Sequence, residues 1–490
     1  MNTTIPENLL KMAKDYDIVP IKKELYADVM TPISLIRKIA LHFNCYFLLE
    51  SVEAQVRWGR YSFLGFDPLL RITCRNGSVV IEKDGKVLSE AKSCGNPYQQ
   101  LRELMKQYRA PKSGDDMPPF SGGLVGYFSY GMTGYAEPSL HLQSGDDNDY
   151  DLMLYDKVIA YDHLRQKIQI IVNISTDHFE ENYYKALLSM EEITTFINHQ
   201  VIYEKEKAVQ VPEFTCNFTK EEFCKAVNTV KNCIFDGDIF QAVISRRFVT
   251  TYNESLMNAY RVLRTTNPSP YMVFMQCNDA QIMAASPETL IKLKDGKLST
   301  FPIAGSRPRG NTIKEDQALE EDLLHDEKEL SEHNMLVDLA RNDIGRVAKS
   351  GTVKVSTYKE VIRYSKIMHI CSEVNGELKD GLDAFDAISA LLPAGTLSGA
   401  PKVRACEIID EMEPCPRGIY GGALGYIDFT GNMDTCIAIR MAVKREDQVY
   451  IQAGAGIVAD SVEEKEYIET ENKAMAIMYA IKHAQEASEL

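Results

Sequence analysis

The sequence predicts an α+β fold in which antiparallel β-sheets are sandwiched between helical layers, and three observations carry that expectation. Short apolar runs meet at Asp-Gly turns, the chemistry that joins neighbouring antiparallel strands. Stretches with helical apolar periodicity, rich in Glu and Lys, dominate residues 316 to 348 and the C-terminal end. Strands come in hairpins rather than alternating one by one with helices, which points away from a parallel sheet. At 490 residues the chain exceeds what one hydrophobic core usually organises, predicting two domains or one large intertwined pair.

Taken in order, Lys83-Asp84-Gly85-Lys86 between Val79-Val80-Ile81 and Val87-Leu88 predicts a hairpin. An alternating run from Lys167 to Ser175 predicts a strand, and residues near Asp177 to Gln200 a helix. The charged Tyr203-Glu204-Lys205-Glu206-Lys207 and the following Val211-Pro212-Glu213 read as a linker near residues 203 to 216. This divides the chain into an N-terminal α+β part, residues 1–205, and a second domain, residues 206–490. Beyond the linker the pattern predicts a helix from Lys220 to Ile234 and a second hairpin at Asp295-Gly296. Residues 421 to 458 read as a meander turning at Thr430-Gly431-Asn432 and near Glu446-Asp447, and the last helix runs from about Val462 to Glu486.

A formal charge of −16 argues against a nucleic-acid surface or an anionic membrane, so an anionic substrate must be held by local cations. Eleven cysteines without a CxxC pair or regular spacing suit reduced thiols in a cytoplasmic enzyme. The N-terminal stretch lacks a continuous apolar core and no later segment is apolar for the length a bilayer requires, so a soluble, unprocessed protein is expected.

The chemistry is concentrated in two acid pairs. Glu329 and Glu332, and again Glu466 and Glu469, stand three apart, which places each pair on one face of a helix. Either pair alone also describes a solvated amphipathic helix. If the two faces meet, four carboxylates repel unless a cation intervenes, and Mg²⁺, with its preference for hard oxygen ligands, is the natural candidate. Between them lie glycine-rich segments, Ala394-Gly395-Thr396-Leu397-Ser398-Gly399-Ala400-Pro401 and Gln452-Ala453-Gly454-Ala455-Gly456-Ile457, whose amides can hold an anion or make tight turns. Neither matches a Walker loop or a dinucleotide fingerprint. Arg440 ends the strand-like run Thr435 to Arg440, where an inward guanidinium would need a buried anion or a salt bridge at the sheet edge.

With these motifs in order, together with Pro302-Ile303-Ala304-Gly305-Ser306-Arg307-Pro308-Arg309-Gly310 and Leu336 to Asp343, the chain resembles the chorismate-binding enzymes, and within them the large subunits of anthranilate synthases. The resemblance covers most of the chain and implies the chorismate-binding enzyme fold. It implies that Glu332 and Glu469 ligate Mg²⁺ directly, with Glu329 and Glu466 in support. Gly305, Ser306, Thr396, Tyr420, Arg440, Gly454, Gly456 and Lys473 would bind substrate, Arg440 and Tyr420 holding the enolpyruvyl carboxylate. Glu329 is the candidate general acid, His369 the base near ring C2, and Thr396 an auxiliary hydroxyl.

Two positions choose among relatives. Ala304 stands where aminodeoxychorismate synthases typically carry a nucleophilic lysine, and Gln241 where isochorismate-forming relatives carry a lysine that activates water. Direct attack by ammonia is therefore expected. Ser306 replaces the family's usual threonine. Glu50 and Ser51, with Pro270, Tyr271 and Met272, resemble the pocket where the family binds tryptophan as feedback inhibitor. No glutaminase nucleophile motif is visible, so the resemblance implies a separate glutamine amidotransferase subunit that supplies ammonia. Aminodeoxychorismate synthesis, or a non-catalytic tryptophan-binding homologue, are the alternative readings.

Overall fold

Two twelve-stranded sheets, antiparallel throughout, form the centre of the computed structural model. It describes residues 4–28, 30–51, 59–92, 95–112, 114, 116–199, 211–278, 280–363 and 367–487. The first sheet runs Ile18–Tyr26, Lys167–Ser175, Lys157–Asp162, Tyr61–Phe66, Cys45–Glu50, Tyr271–Cys277, Ala280–Ser286, Met441–Arg445, Gln448–Ile457, Gln241–Thr251 and Thr215–Cys216, with Gly399–Ala400 pairing beside Gln241–Thr251. The second runs Ile303–Pro308, Ile367–Glu377, Lys297–Thr300, Thr289–Lys294, Met433–Ile437, Ala423–Asp428, Gly123–Phe128, Tyr150–Tyr155, Leu70–Arg75, Ser78–Lys83 and Lys86–Lys92, with Lys354–Arg363 alongside Ile367–Glu377. Each sheet takes strands from both sides of residue 205. Much of the linker, residues 200–210, lies outside the described residues.

The sheets pack face to face through Phe47, Phe63, Val125, Tyr155, Met275 and Cys436, which supply the middle of the sandwich. Helices Pro32–Ala40, Phe179–Asn198, Met257–Thr266 and Glu463–Lys482 cover the other face of the first sheet through Leu35, Met190, Tyr260 and Ile477. Tyr98–Met105, Glu327–Val347 and Ala384–Leu391 cover the second through Leu101, Ile344 and Ile388. The expected helical and sheet layers are thus present. Their closeness explains why Lys167–Ser175 is buried from Ile168 to Ile174 on both faces instead of alternating: a strand covered by a helix above and a sheet below has no wet side.

Both expected Asp-Gly hairpins form. Asp84 and Gly85 (φ 50° and 73°) and Asp295 and Gly296 (φ 50° and 81°) adopt the left-handed pair that matches strand twist. The helices fall close to expectation, at Phe179–Asn198, Lys220–Phe235 and Glu463–Lys482. The run from 316 to 348 is two helices, Ile313–His325 and Glu327–Val347. Asp326 breaks them, its carboxylate accepting from the Lys328 and Glu329 amides as an N-cap. The expected meander differs more: Ala423–Asp428 and Met433–Ile437 belong to the second sheet, whereas Met441–Arg445 and Gln448–Ile457 belong to the first. Arg440 is therefore no mid-strand residue. It sits at the corner where the chain changes sheets, with φ 49°.

Candidate active site

The two acid pairs lie on helices Glu327–Val347 and Glu463–Lys482, which belong to opposite outer layers. Their acidic faces nevertheless meet electrostatically. Surrounding protein raises the Glu332 carboxyl above its ordinary range, and the facing Glu469 raises it further. Burial likewise raises Glu466, with Glu469 adding to it, and raises Glu329, with Glu332 and Asp326 adding. Lys328 relieves Glu332 on its own helix and Glu466 on the facing one. Lys473 Nζ lies 2.7 Å from Glu469 Oε1 and donates to the Gly454 carbonyl at 2.9 Å.

Among the described residues no three acids, histidines or cysteines draw together into a closed metal-binding group. The donor set itself suits Mg²⁺: carboxylate oxygens alone, mutually repelling, on rigid helices, with solvent reaching Glu332 and Glu469.

A second chain of contacts starts at Gly305. Its φ of 66° favours glycine, and a Cβ there would stand 3.2 Å from Glu329 Oε2. The Gly305 carbonyl accepts from His369 Nδ1 at 3.0 Å, so the neutral ring carries its proton on Nδ1 and its lone pair on Nε2. Burial lowers the proton affinity of His369, and the charge of Arg440 lowers it further. Ser306 pairs with His369 across the strands and is itself exposed.

Residues expected to bind the anion gather around Gly454. Tyr420 Oη lies 3.0 Å from where a Gly454 Cβ would be, and Gly456 leaves space for the Gln241 amide, which a Cβ would meet at 2.7 Å. Arg440 Nη1 donates to the Lys473 carbonyl at 3.3 Å. Burial lowers its proton affinity, while Tyr420 and Glu469 work in the opposite direction.

Sequence reasoning missed Glu288. It follows the strand Ala280–Ser286 and accepts from the Thr396 hydroxyl at 3.4 Å, with both residues lining a cavity of about 40 Å³ shared with Pro302, Leu336 and Asp343. Asp343 is held by Lys402 at 2.9 Å. Burial pushes the Glu288 carboxyl up to about 8, and Thr396 and the charge of Lys473 only partly offset it. A single acid in Ser286-Pro287-Glu288-Thr289 carries no helical spacing to reveal it.

The Glu50 cluster is separate from this cleft. Glu50 pairs with Met272 across adjacent strands, and its carboxylate accepts from Arg264 at 3.0 and 3.2 Å, Tyr260 at 2.9 Å and Ser62 at 3.3 Å. Ser51 Oγ is buried without a hydrogen-bond partner. Pro270 precedes the strand of Tyr271, whose hydroxyl engages Asp434 at 2.7 Å and Thr289 at 2.9 Å. The partners of Glu50 also escaped the sequence reading. Tyr260 and Arg264 share a helix face at i,i+4 just before Asn267-Pro268, a pattern that reads equally as core.

Two antiparallel sheets packed face to face between helical layers, with two acid-bearing helices in electrostatic contact, make up the fold and the site, and the family model described as chorismate binding enzyme matches residues 45–479. The chain belongs to that family. Along its length it is similar to anthranilate synthase component 1 of Acetivibrio thermocellus, 45% identical with 97% of each chain covered. The corresponding protein of Aquifex aeolicus is also 45% identical, over 99% of this chain and 98% of its own. The crystal structure of anthranilate synthase component I from Streptococcus pneumoniae superposes with a TM-score of 0.74 at 34% identity, covering 93% of this chain and 99% of that one. The isochorismate synthase MenF of Escherichia coli shares the fold, with a TM-score of 0.71 at 19% identity over 97% of this chain and 98% of its own. Among the described residues no helix is long and apolar enough to cross a membrane.

Proposed function

We propose that this enzyme adds ammonia to chorismate and then eliminates pyruvate, releasing anthranilate and water, the committed entry into tryptophan biosynthesis, in the cytoplasm. The observation that carries the reading is that Lys473 links the raised acid Glu288 to Glu469, while the base His369 rests on the carbonyl of Gly305, next to Glu329. Near full-length similarity to proteins named anthranilate synthase component 1 supports it.

Chorismate brings two carboxylates. Arg440, Tyr420 and the Gly454 and Gly456 amides hold the enolpyruvyl carboxylate, and Lys473 offsets charge nearby. Glu332 and Glu469 would hold Mg²⁺, with Glu329 and Glu466 behind them. When bound, the ion supplies positive charge for the ring carboxylate. Ammonia forms the new C–N bond at ring C2 while the C4–O bond breaks. Hydroxide leaves only if protonated, and Glu288 is the better donor than Glu329, because its carboxyl keeps its proton to about pH 8. His369 Nε2 then takes the C2 proton; its electron pair aromatises the ring and the enolpyruvyl group departs as pyruvate. Ala304, buried opposite Ile370, offers no nucleophile for a covalent route.

Ammonia comes from a glutamine amidotransferase subunit, and tryptophan acts as inhibitor at the Glu50 cluster. Incubation with chorismate, Mg²⁺ and ammonium salt is expected to release fluorescent anthranilate and pyruvate in equal amounts. An aminated product without pyruvate, or no turnover, refutes the assignment. Glu469→Gln is expected to lower Mg²⁺-dependent turnover by about a hundredfold or more while far-UV circular dichroism stays unchanged.

A further inference from the structure

The buried ion pair Glu413–Arg417 lies outside every role assigned above, yet it joins the strand Gln241–Thr251 to the segment of Thr396 and Leu397. Both side chains are almost fully enclosed, at 4% and 2% exposure. Arg417 Nε donates to Glu413 Oε2 at 2.9 Å and Nη2 to Oε1 at 2.7 Å. Its remaining donors leave the pair: Nη1 reaches the Leu397 carbonyl, next to Thr396, and Nη2 reaches the Val243 carbonyl at 2.6 Å. Glu413 Oε1 in turn accepts from both the amide and the hydroxyl of Ser245 at 2.7 Å. The guanidinium also lies 5.7 Å from the Tyr420 ring.

These contacts share one purpose. Val243 and Ser245 pair across the sheet with Gly456 and Gly454, so the pair fixes the anion-binding strand to the Thr396 loop. Behind it is a cavity of about 330 Å³ lined by Tyr130, Asp149, Glu413 and Arg417. A hydrophobic pair would fill the space, but only a planar fork with an anion beneath it can grip two carbonyls from separate segments. We infer that Glu413 and Arg417 are positioning residues for the reaction, holding the Leu397 carbonyl and the Val243–Ser245 backbone so that Thr396 meets Glu288 beside the Gly454 site.

The inference rests on Glu288 as proton donor, and the experiment separates the two. Steady-state kinetics with chorismate, Mg²⁺ and ammonium compare wild type, Arg417→Lys, Glu413→Gln and Glu288→Gln from neutral to alkaline pH. Arg417→Lys is expected to cut kcat about a hundredfold with KM for chorismate changed less than about threefold. Loss of the Thr396 hydrogen bond also moves the alkaline limb to higher pH, because that bond lowers the Glu288 proton affinity. A lower unfolding midpoint with kcat per folded molecule and the limb both as in wild type overturns the proposal. Should Arg417→Lys fail to fold, Ser245→Ala removes one donor at little change in volume. A loss of about fivefold in kcat with a displaced limb then supports the proposal, and an unchanged profile overturns it. If Glu288→Gln keeps the wild-type limb, the reading of Glu288 fails, while the kcat of Arg417→Lys still decides the role of the pair.

Discussion

Glu50 and Glu288 follow neighbouring tracks in the fold and meet opposite surroundings. Glu50 pairs with Met272, the residue after Tyr271, and Tyr271 pairs with Ser286, two residues before Glu288. Glu50 is surrounded by donors: a guanidinium, a phenol and a hydroxyl. Glu288 has the Thr396 hydroxyl at 3.4 Å and the charge of Lys473, and its carboxyl is raised to about 8 by burial. A buried carboxylate given a guanidinium, a phenol and a hydroxyl is tied down on several sides. One denied such partners holds its proton to higher pH. The Tyr271 hydroxyl, on Thr289 and Asp434, joins the two neighbourhoods.

The contrast is broken most severely at Glu288. Glu288→Gln is expected to lower kcat by about a thousandfold while chorismate binding persists, as equilibrium titration will show; wild-type turnover would move the acid role elsewhere. The same substitution has a stability signature. The folded-state proton affinity of Glu288 is raised above its unfolded value, so the folded chain holds a proton that the unfolded chain has lost between about pH 4.5 and 8. Wild type therefore loses stability as pH rises through that window. The unfolding midpoint of Glu288→Gln should gain on wild type over the same range, and a constant difference would contradict the raised affinity.

Glu50→Gln tests the other side. It leaves the Arg264 guanidinium without its anion and is expected to cost about 1–3 kcal/mol in urea unfolding. Uninhibited turnover should stay within about twofold, while the tryptophan concentration for half-inhibition rises at least about tenfold. Inhibition as in wild type would detach tryptophan from this cluster. The smallest effect belongs to Thr396→Ala: the loss of one hydrogen bond should reduce kcat by no more than about tenfold, with the alkaline limb displaced upward.

How much of this was legible depended on how local each signal was. The Asp-Gly turns and the amphipathic helices are written within a few residues, and the acid pairs at i,i+3 spacing place themselves on helix faces without reference to the rest of the fold. The exchange between sheets at Arg440 was hidden, since a period of two residues marks a strand but not the sheet it joins. Glu288 and the Glu413–Arg417 pair were hidden for a related reason. A lone acid after a strand, or an Arg four residues beyond a Glu, acquires meaning only from what packs against it. Charge and proline near residues 203 to 216 suggest a linker, but that sequence does not show that strands on either side would enter the same two sheets.

That interweaving bears on how the molecule comes into being. Cys45–Glu50 awaits Tyr271–Cys277, and Gly123–Phe128 awaits Ala423–Asp428, so open strand edges made early in synthesis must wait for partners hundreds of residues later. Pairings of such sequence separation close slowly, and unpaired edges invite association with other chains in the meantime. Fragments divided near residue 205 would each carry two half-built sheets.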